Sequence, residues 1–342
     1  MTGVNPAGPR RWTCSLAVLG VFLLGAACAP EEGGDLDPGS VSGPPDGPFA
    51  AIGPAPDGYR PTAATAPSTD IWIGTLVRHG TEVIVQDLEN VTDRDGYDNQ
   101  PAFGPDGAAL YLASAVDSTQ TEVMRYVLAS GLLEPVTRTP SVSEFSPVVE
   151  IGGETLTSIH ELRGKQHLWR YGVDGTDLGP VFSTAEPVGY HAWANRRDVA
   201  LFILGGAGAP ATLQLANAET GAFTVVAERP GRSIHRIPGT EAISFVRKVS
   251  ADEWWIERLN PTDGSTTRLV QTLPGREDYA WTPEGEIVMG DATTLSIWPG
   301  QGPWTELQDL SLSGLGEISR LAISPLGDRI AIVSVRPRNP AG

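Results

Sequence analysis

The stretch PAFGPDGAALYLAS, Pro101 to Ser114, places a Pro-Asp-Gly turn between a short apolar segment and a longer apolar run. That order is the signature of strand, tight turn, strand. Proline presets φ, Asp can bond its own backbone, and Gly takes the positive φ that a tight hairpin needs. Whether the hairpin recurs decides the fold.

It recurs. Six times the chain returns to a short inner segment, a turn, an apolar run, a second strand, a Gly turn and a short strand rich in Thr or Val. Anchored on Phe103, Phe145, Trp193, Ile237, Trp281 and Ile323, the steps are 42, 48, 44, 44 and 42 residues. A unit of that length with variable loops is four strands, the content of a propeller blade. Degenerate copies of the turn stand at Pro283-Glu284-Gly285 and Pro325-Leu326-Gly327. In the third and fourth units Ala194-Asn195-Arg196 and Pro238-Gly239-Thr240 replace it, so the blade boundaries are least defined there.

The last copy, from Ile318, holds inner strands only, whereas Asp70 to Thr92 holds two outer strands. The halves complete each other, which predicts one shared blade closing the ring and leaving no open sheet edge between blades. Runs such as VALFIL and RIAIVSV are apolar at consecutive positions, as strands covered on both faces should be. The fold class expected is therefore all-β: a six-bladed propeller of four-stranded antiparallel blades over residues 70–337, with 338–342 as a tail.

Ahead of it, Arg10 and Arg11 precede an uncharged apolar run from Leu16 to Ala27, an export signal over residues 1–27 that is too short to span a bilayer comfortably. Gly25, Ala26 and Ala27 followed by Cys28 resemble the lipobox of bacterial lipoproteins, although Leu24 lies one place further from the cysteine than usual. The resemblance implies acylation of Cys28 and attachment to the membrane through a lipid; the alternative is an ordinary signal peptide with an incidental cysteine. Ala29 in place of an aspartate points to the outer membrane, so periplasm or cell surface is the expected location. Residues 28–69 are rich in Gly, Pro and acids with no apolar period, and read as a disordered tether. Cys14 and Cys28 are the only cysteines, so the domain beyond has neither disulfide nor Cys metal site. A formal net charge of −17 argues against nucleic acid as a partner and is accounted for by solubility. A monomer is expected.

FGPDG, WTPEG and ISPLGDRIAIVS, each with an outer hairpin such as LWRYGVDGTDL, resemble the repeats of the TolB-like (PD40, WD40-like) six-bladed propeller family, over nearly all of the chain from Asp70 to about Pro337. TolB members carry a further α/β domain before the propeller and work with peptidoglycan-associated lipoprotein at the cell envelope. Here the tether takes that place, so the resemblance is to the propeller alone. It implies an envelope protein whose propeller face or channel mouth grips another molecule, and says little about chemistry.

His191 and His235 each lie two residues before an anchor, which predicts equivalent heights on neighbouring inner strands, pointing into the channel. Two neutral imidazoles there could take a divalent metal with Glu277 or Asp98, and some propeller lyases acting on oligogalacturonate use histidines and a metal in a comparable channel. The plainer expectation is two polar residues facing channel water, with no cofactor. His160 and His167 flank a hairpin and are expected to be solvated. The chain contains no H-E-x-x-H, G-x-S-x-G, P-loop or G-x-G-x-x-G motif. Trp298 and Trp304 flank PGQGP in an outer hairpin, where one exposed ring would make a partner contact. DRDGYDN, Asp93 to Asn99, reads as an acidic solvated loop. The expected function is a non-catalytic protein-binding or scaffolding module. The alternative is a metal-dependent lyase or hydrolase, or a carbohydrate or small-ligand binder, with its site in the channel.

Overall fold

The computed structural model describes residues 67–336 except 81, 118–119, 186 and 207. The expected leader, Cys28, nearly all of the tether and the tail lie outside them. The described residues form six four-stranded antiparallel sheets arranged as a propeller. Blades 1 to 5 follow one another along the chain over 98–135, 143–180, 188–228, 230–271 and 279–309. Their innermost strands are Asp98–Phe103, Ser143–Val149, Val188–Trp193, Pro230–Arg236 and Tyr279–Trp281.

Blade 6 is the shared one. Ile318–Ile323 and Arg329–Val335 form its inner pair, and Thr69–His79 with Glu82–Asn90 form its outer pair. The seam is an antiparallel ladder from Thr69 opposite Val335 to Thr75 opposite Arg329. Ile330 to Val333 are apolar at consecutive positions because both faces of the strand are covered. Ile330 and Ile332 join a cluster with Val288 and Leu295 of blade 5, while Ala331 and Val333 join Leu110 and Leu112 of blade 1. The core of the molecule lies in these layers between blades.

The turn chemistry holds where the motif is intact and is replaced by equivalents where it is not. In blade 1 the Asp106 carboxylate accepts the Ala108 N–H at 3.0 Å, and Gly107 takes φ 70°. In blade 3 Asn195 Oδ1 accepts the N–H groups of Arg197 and Asp198, both at 2.9 Å. In blade 4 Thr240 Oγ1 accepts from the Ala242 N–H at 3.1 Å. A short polar side chain closes the hairpin in each case.

These hairpins also give the true register. The backbone bond that closes each turn starts at Gly104, Glu150, Ala194, Ile237, Thr282 and Ser324, which makes the repeat steps 46, 44, 43, 45 and 42. Phe145 is therefore four residues too early as an anchor, since Val149 is the true equivalent of Phe103. Ile237 is one too late, since Arg236 is the equivalent. An aromatic or Ile residue type does not report where the ladder ends.

Candidate functional site

Each inner strand brings its backbone to the central channel, and in five of the six the pairing register shifts shortly before the hairpin. Such bulges turn a side chain that would pack between blades toward the axis. Gln100 and Ser146 adopt φ of 57° and 50° at this step. The equivalent positions, four before the residue that opens the turn, are Gln100, Ser146, Tyr190, Ser233, Asp278 and Arg320. All six line one cavity of about 130 Å³, to which every blade contributes. It is the central channel.

The corrected register separates the two histidines. His191 lies three residues before its turn-opening residue and His235 two before, so they are not at equivalent heights. The His191 Nε2 meets Thr157 Oγ1 of blade 2 at 2.8 Å, and Trp193 Nε1 donates to the same hydroxyl at 3.0 Å. If the Thr157 proton goes to Nε2, every group there is satisfied except Nδ1, which is buried without a partner. His235 turns the other way, edge-on to Tyr279 of blade 5 with 4.7 Å between ring centroids, and its Nε2 meets Ser233 Oγ at 2.8 Å. Burial pushes the His191 imidazole down to about 3, and burial, partly offset by Asp278, takes His235 down to about 4. Both line the channel as neutral rings.

Neither carboxylate proposed to join them does so. Glu277 Oε2 lies 2.9 Å from Lys248 Nζ and accepts the Arg232 backbone N–H at 3.1 Å. Asp98 is fully buried, with Oδ1 2.7 Å from Arg94. Its carboxyl is pushed up by burial, against the pull of Arg94 and Ser114. Among the described residues no three His, Cys, Asp or Glu side chains converge closely enough to hold a metal ion. The channel's charged wall is instead cationic: Arg232 and Arg320 with Asp278, whose carboxyl burial would push up but whose neighbours Arg232 and Arg320 hold below the usual range.

The outer-hairpin tryptophans pack against the layer between blades 4 and 5. Trp298 is 6% exposed in the core between blades 4 and 5, and Trp304 is half-buried beside it, donating from Nε1 to the Gln271 carbonyl at 2.8 Å. His160 is buried rather than solvated. It stacks on Trp169 at 4.2 Å between centroids and bonds the Tyr171 hydroxyl at 2.9 Å. The acidic loop is tied down, because Arg336 reaches Asp70, Asp93 and Asp95.

An opening the sequence reading missed lies on the hairpin face, between the inner turns of blades 4, 5 and 6. A cavity of about 450 Å³ is lined by His235, Pro238, Trp281, Pro283, Ile323 and Pro325 among others. Leu326, 69% exposed, stands next to Pro325. The sequence signal of this opening is the proline repeated in these turns, Pro238, Pro283 and Pro325.

Six four-stranded antiparallel blades are the fold of the TolB-like β-propellers. The chain is similar to a solved TolB structure from Agrobacterium tumefaciens, with a TM-score of 0.63 and 17% identity over 80% of this chain and 99% of that one. It is also similar to TolB from Acinetobacter baumannii, with a TM-score of 0.51 and 12% identity over 82% of this chain and 66% of that one. An oligogalacturonate lyase in complex with manganese gives a TM-score of 0.50 at 14% identity, over 73% of this chain and 80% of that one. At these identities the likeness is one of fold. No protein-family model and no curated protein matches the sequence.

Proposed function

We propose that this chain is a non-catalytic envelope propeller that grips a partner protein at the hairpin-side mouth of its channel. The observation that carries the reading is the cavity of about 450 Å³ between the inner turns of blades 4 to 6, with Trp281, Ile323 and Pro325 in its wall; the next residue on the blade 6 turn, Leu326, is exposed. A concave, partly apolar site with an exposed apolar residue on an adjoining turn is the form of a protein-binding hot spot. The TolB-like fold supports a protein partner and an envelope location. The apolar leader supports export, and the cysteine at its end supports a lipid anchor at Cys28 with residues 28–69 as the tether.

The test is capture from envelope extract of the source organism with the tagged protein, run beside Leu326→Asp. Leu326 is exposed enough for the substitution to leave the fold intact. A protein retained by the parent and lost by at least tenfold with the variant supports the reading. Capture that is equal with both, or absent with both, sinks it.

A further inference from the structure

Five charged side chains meet where the inner strands of blades 4, 5 and 6 enter the channel, and their pairing is unequal. Arg232 gives both Nε, at 3.1 Å, and Nη2, at 2.6 Å, to Oδ2 of Asp278. Lys248 takes Glu277 at 2.9 Å. Those two close pairs leave Arg320. Among the described residues Asp278 is the one carboxylate within ion-pair range of it, and its Oδ1 stands at 3.5 Å, the outer limit of a hydrogen bond. Its other polar contact is the neutral Tyr190 hydroxyl at 3.2 Å, with the guanidinium 5.2 Å from the centre of the Tyr190 ring.

Arg320 has a side chain only 11% exposed. A buried cation whose ion pair is a single long contact to a carboxylate already shared with Arg232, and whose other contact is a neutral hydroxyl, is an incompletely compensated charge. It borders the channel cavity together with the polar residues Gln100, Tyr190 and Ser233. Arg232, Asp278, Ser146 and the two neutral histidines also line it, and the apolar part of the wall is Pro101, Ala102, Pro147, Val148, Ile234 and Leu321. The cluster carries three cations against two carboxylates, inside a protein of formal net charge −17. Its local sign is opposite to that of the molecule.

We infer that the channel binds a carboxylate on a short apolar stem, with the carboxylate on Arg320. The cavity of about 130 Å³ is slightly smaller than the roughly 150 Å³ that accommodates a benzene ring, so the occupant has the size of an Asp or Glu side chain or a short-chain acid. Planar bidentate recognition is what a guanidinium supplies, and the Arg320 fork has N–H groups beyond those given to Asp278 and Tyr190. Two sources share this chemistry: a free small acid, or an acidic side chain of a docked protein. The site stands whether or not a protein docks at the hairpin-side mouth.

The test is thermal unfolding of the purified protein in propionate, in propionamide and in sodium chloride at matched ionic strength. Propionate at ten times its dissociation constant raises the midpoint by about 3 °C, and the other two do not. Arg320→Met abolishes the shift, whereas Arg125→Gln, a cation paired with Glu134 in blade 1, keeps it. A second measurement needs no variant: broadening of the propionate methyl signal by the protein, competed with a terminally blocked peptide carrying Glu or, as its control, Gln. Competition by the Glu peptide alone assigns the site to a protein side chain, and broadening without competition assigns it to a free acid. Equal shifts from all three solutes, no broadening, or a propionate shift that survives in Arg320→Met overturns the inference.

Discussion

Ring closure rests on the strand Arg329–Val335, and Ile332 at its centre is the residue whose truncation measures it. Ile332 is fully buried, lies opposite Trp72 across the seam and Leu321 on the other side, and packs in the layer shared with blade 5. Ile332→Ala removes Cγ1, Cγ2 and Cδ1. At about 0.8 kcal/mol for each buried carbon the transfer loss is roughly 2.4 kcal/mol. The neighbours belong to two sheets already hydrogen-bonded on both sides, so they collapse only partly and a cavity term adds to this. A total of about 3–4 kcal/mol follows, within the range for Ile→Ala in rigid cores. The assay is urea unfolding followed by tryptophan fluorescence. With a slope of about 3 kcal/mol per molar, the midpoint falls by roughly 1 M. Leu326→Ala, at a residue 69% exposed on the adjoining turn, is the matched control and should move stability by less than about 0.5 kcal/mol. A loss below about 1 kcal/mol for Ile332→Ala would show that the last strand is not locked between blades 5 and 1, and the closure argument would fall with it.

Other consequences are equally direct. Burial, with Glu122 adding to it, pushes the Glu144 carboxyl up to about 8, against the hydrogen bonds from Thr139 and Tyr171. Between about pH 4.5 and 8 the folded state thus holds a proton that the unfolded state has lost, so stability falls as pH rises, by up to about 1.4 kcal/mol per unit. Glu144→Gln flattens that slope; a midpoint-against-pH profile unchanged from the parent refutes the assignment. Trp298→Ala costs about 3–5 kcal/mol, because the ring fills the layer between blades 4 and 5, and a variant that lost partner binding at parental stability would restore it as a contact residue. Trp281→Ala, in the wall of the hairpin-side mouth, weakens partner capture by at least tenfold; its indole also donates to Ser244 at 2.8 Å, so capture is compared with the unfolding midpoint. A parental level of capture would remove Trp281 from the contact surface.

Much of the architecture was legible because it is carried by local rules. Pro-Asp-Gly at Pro105 to Gly107, the degenerate copies at Pro283 and Pro325, and the complementary halves at the two ends require only turn chemistry and the period of a blade. The register was not legible to the same depth. Aligning units on Trp193 and Ile237 puts His191 and His235 at one height, whereas the hydrogen bonds that close the hairpins make Arg236 the equivalent of Trp193 and place the histidines one residue apart. A shift of one in a strand changes where a side chain turns: both rings border the channel, but His191 meets Thr157 of blade 2 and His235 meets Tyr279 of blade 5, so they do not form a pair.

The amino-acid sequence by itself determined the blade as the repeating unit, the number of blades and the shared closing blade, since each follows from turn residues and apolar runs close together in the chain. Only the tertiary structure decided what lines the axis. Gln100, Ser146, Tyr190, Ser233, Asp278 and Arg320 include only one repeated residue type, serine, and they meet because the same position before the inner hairpin recurs in blades some forty residues apart. The pairing of Arg232 with Asp278 and of Lys248 with Glu277, which leaves Arg320 under-compensated, is likewise a matter of distances set by the closed ring. Charge compensation depends on separation in space, and composition carries no record of it.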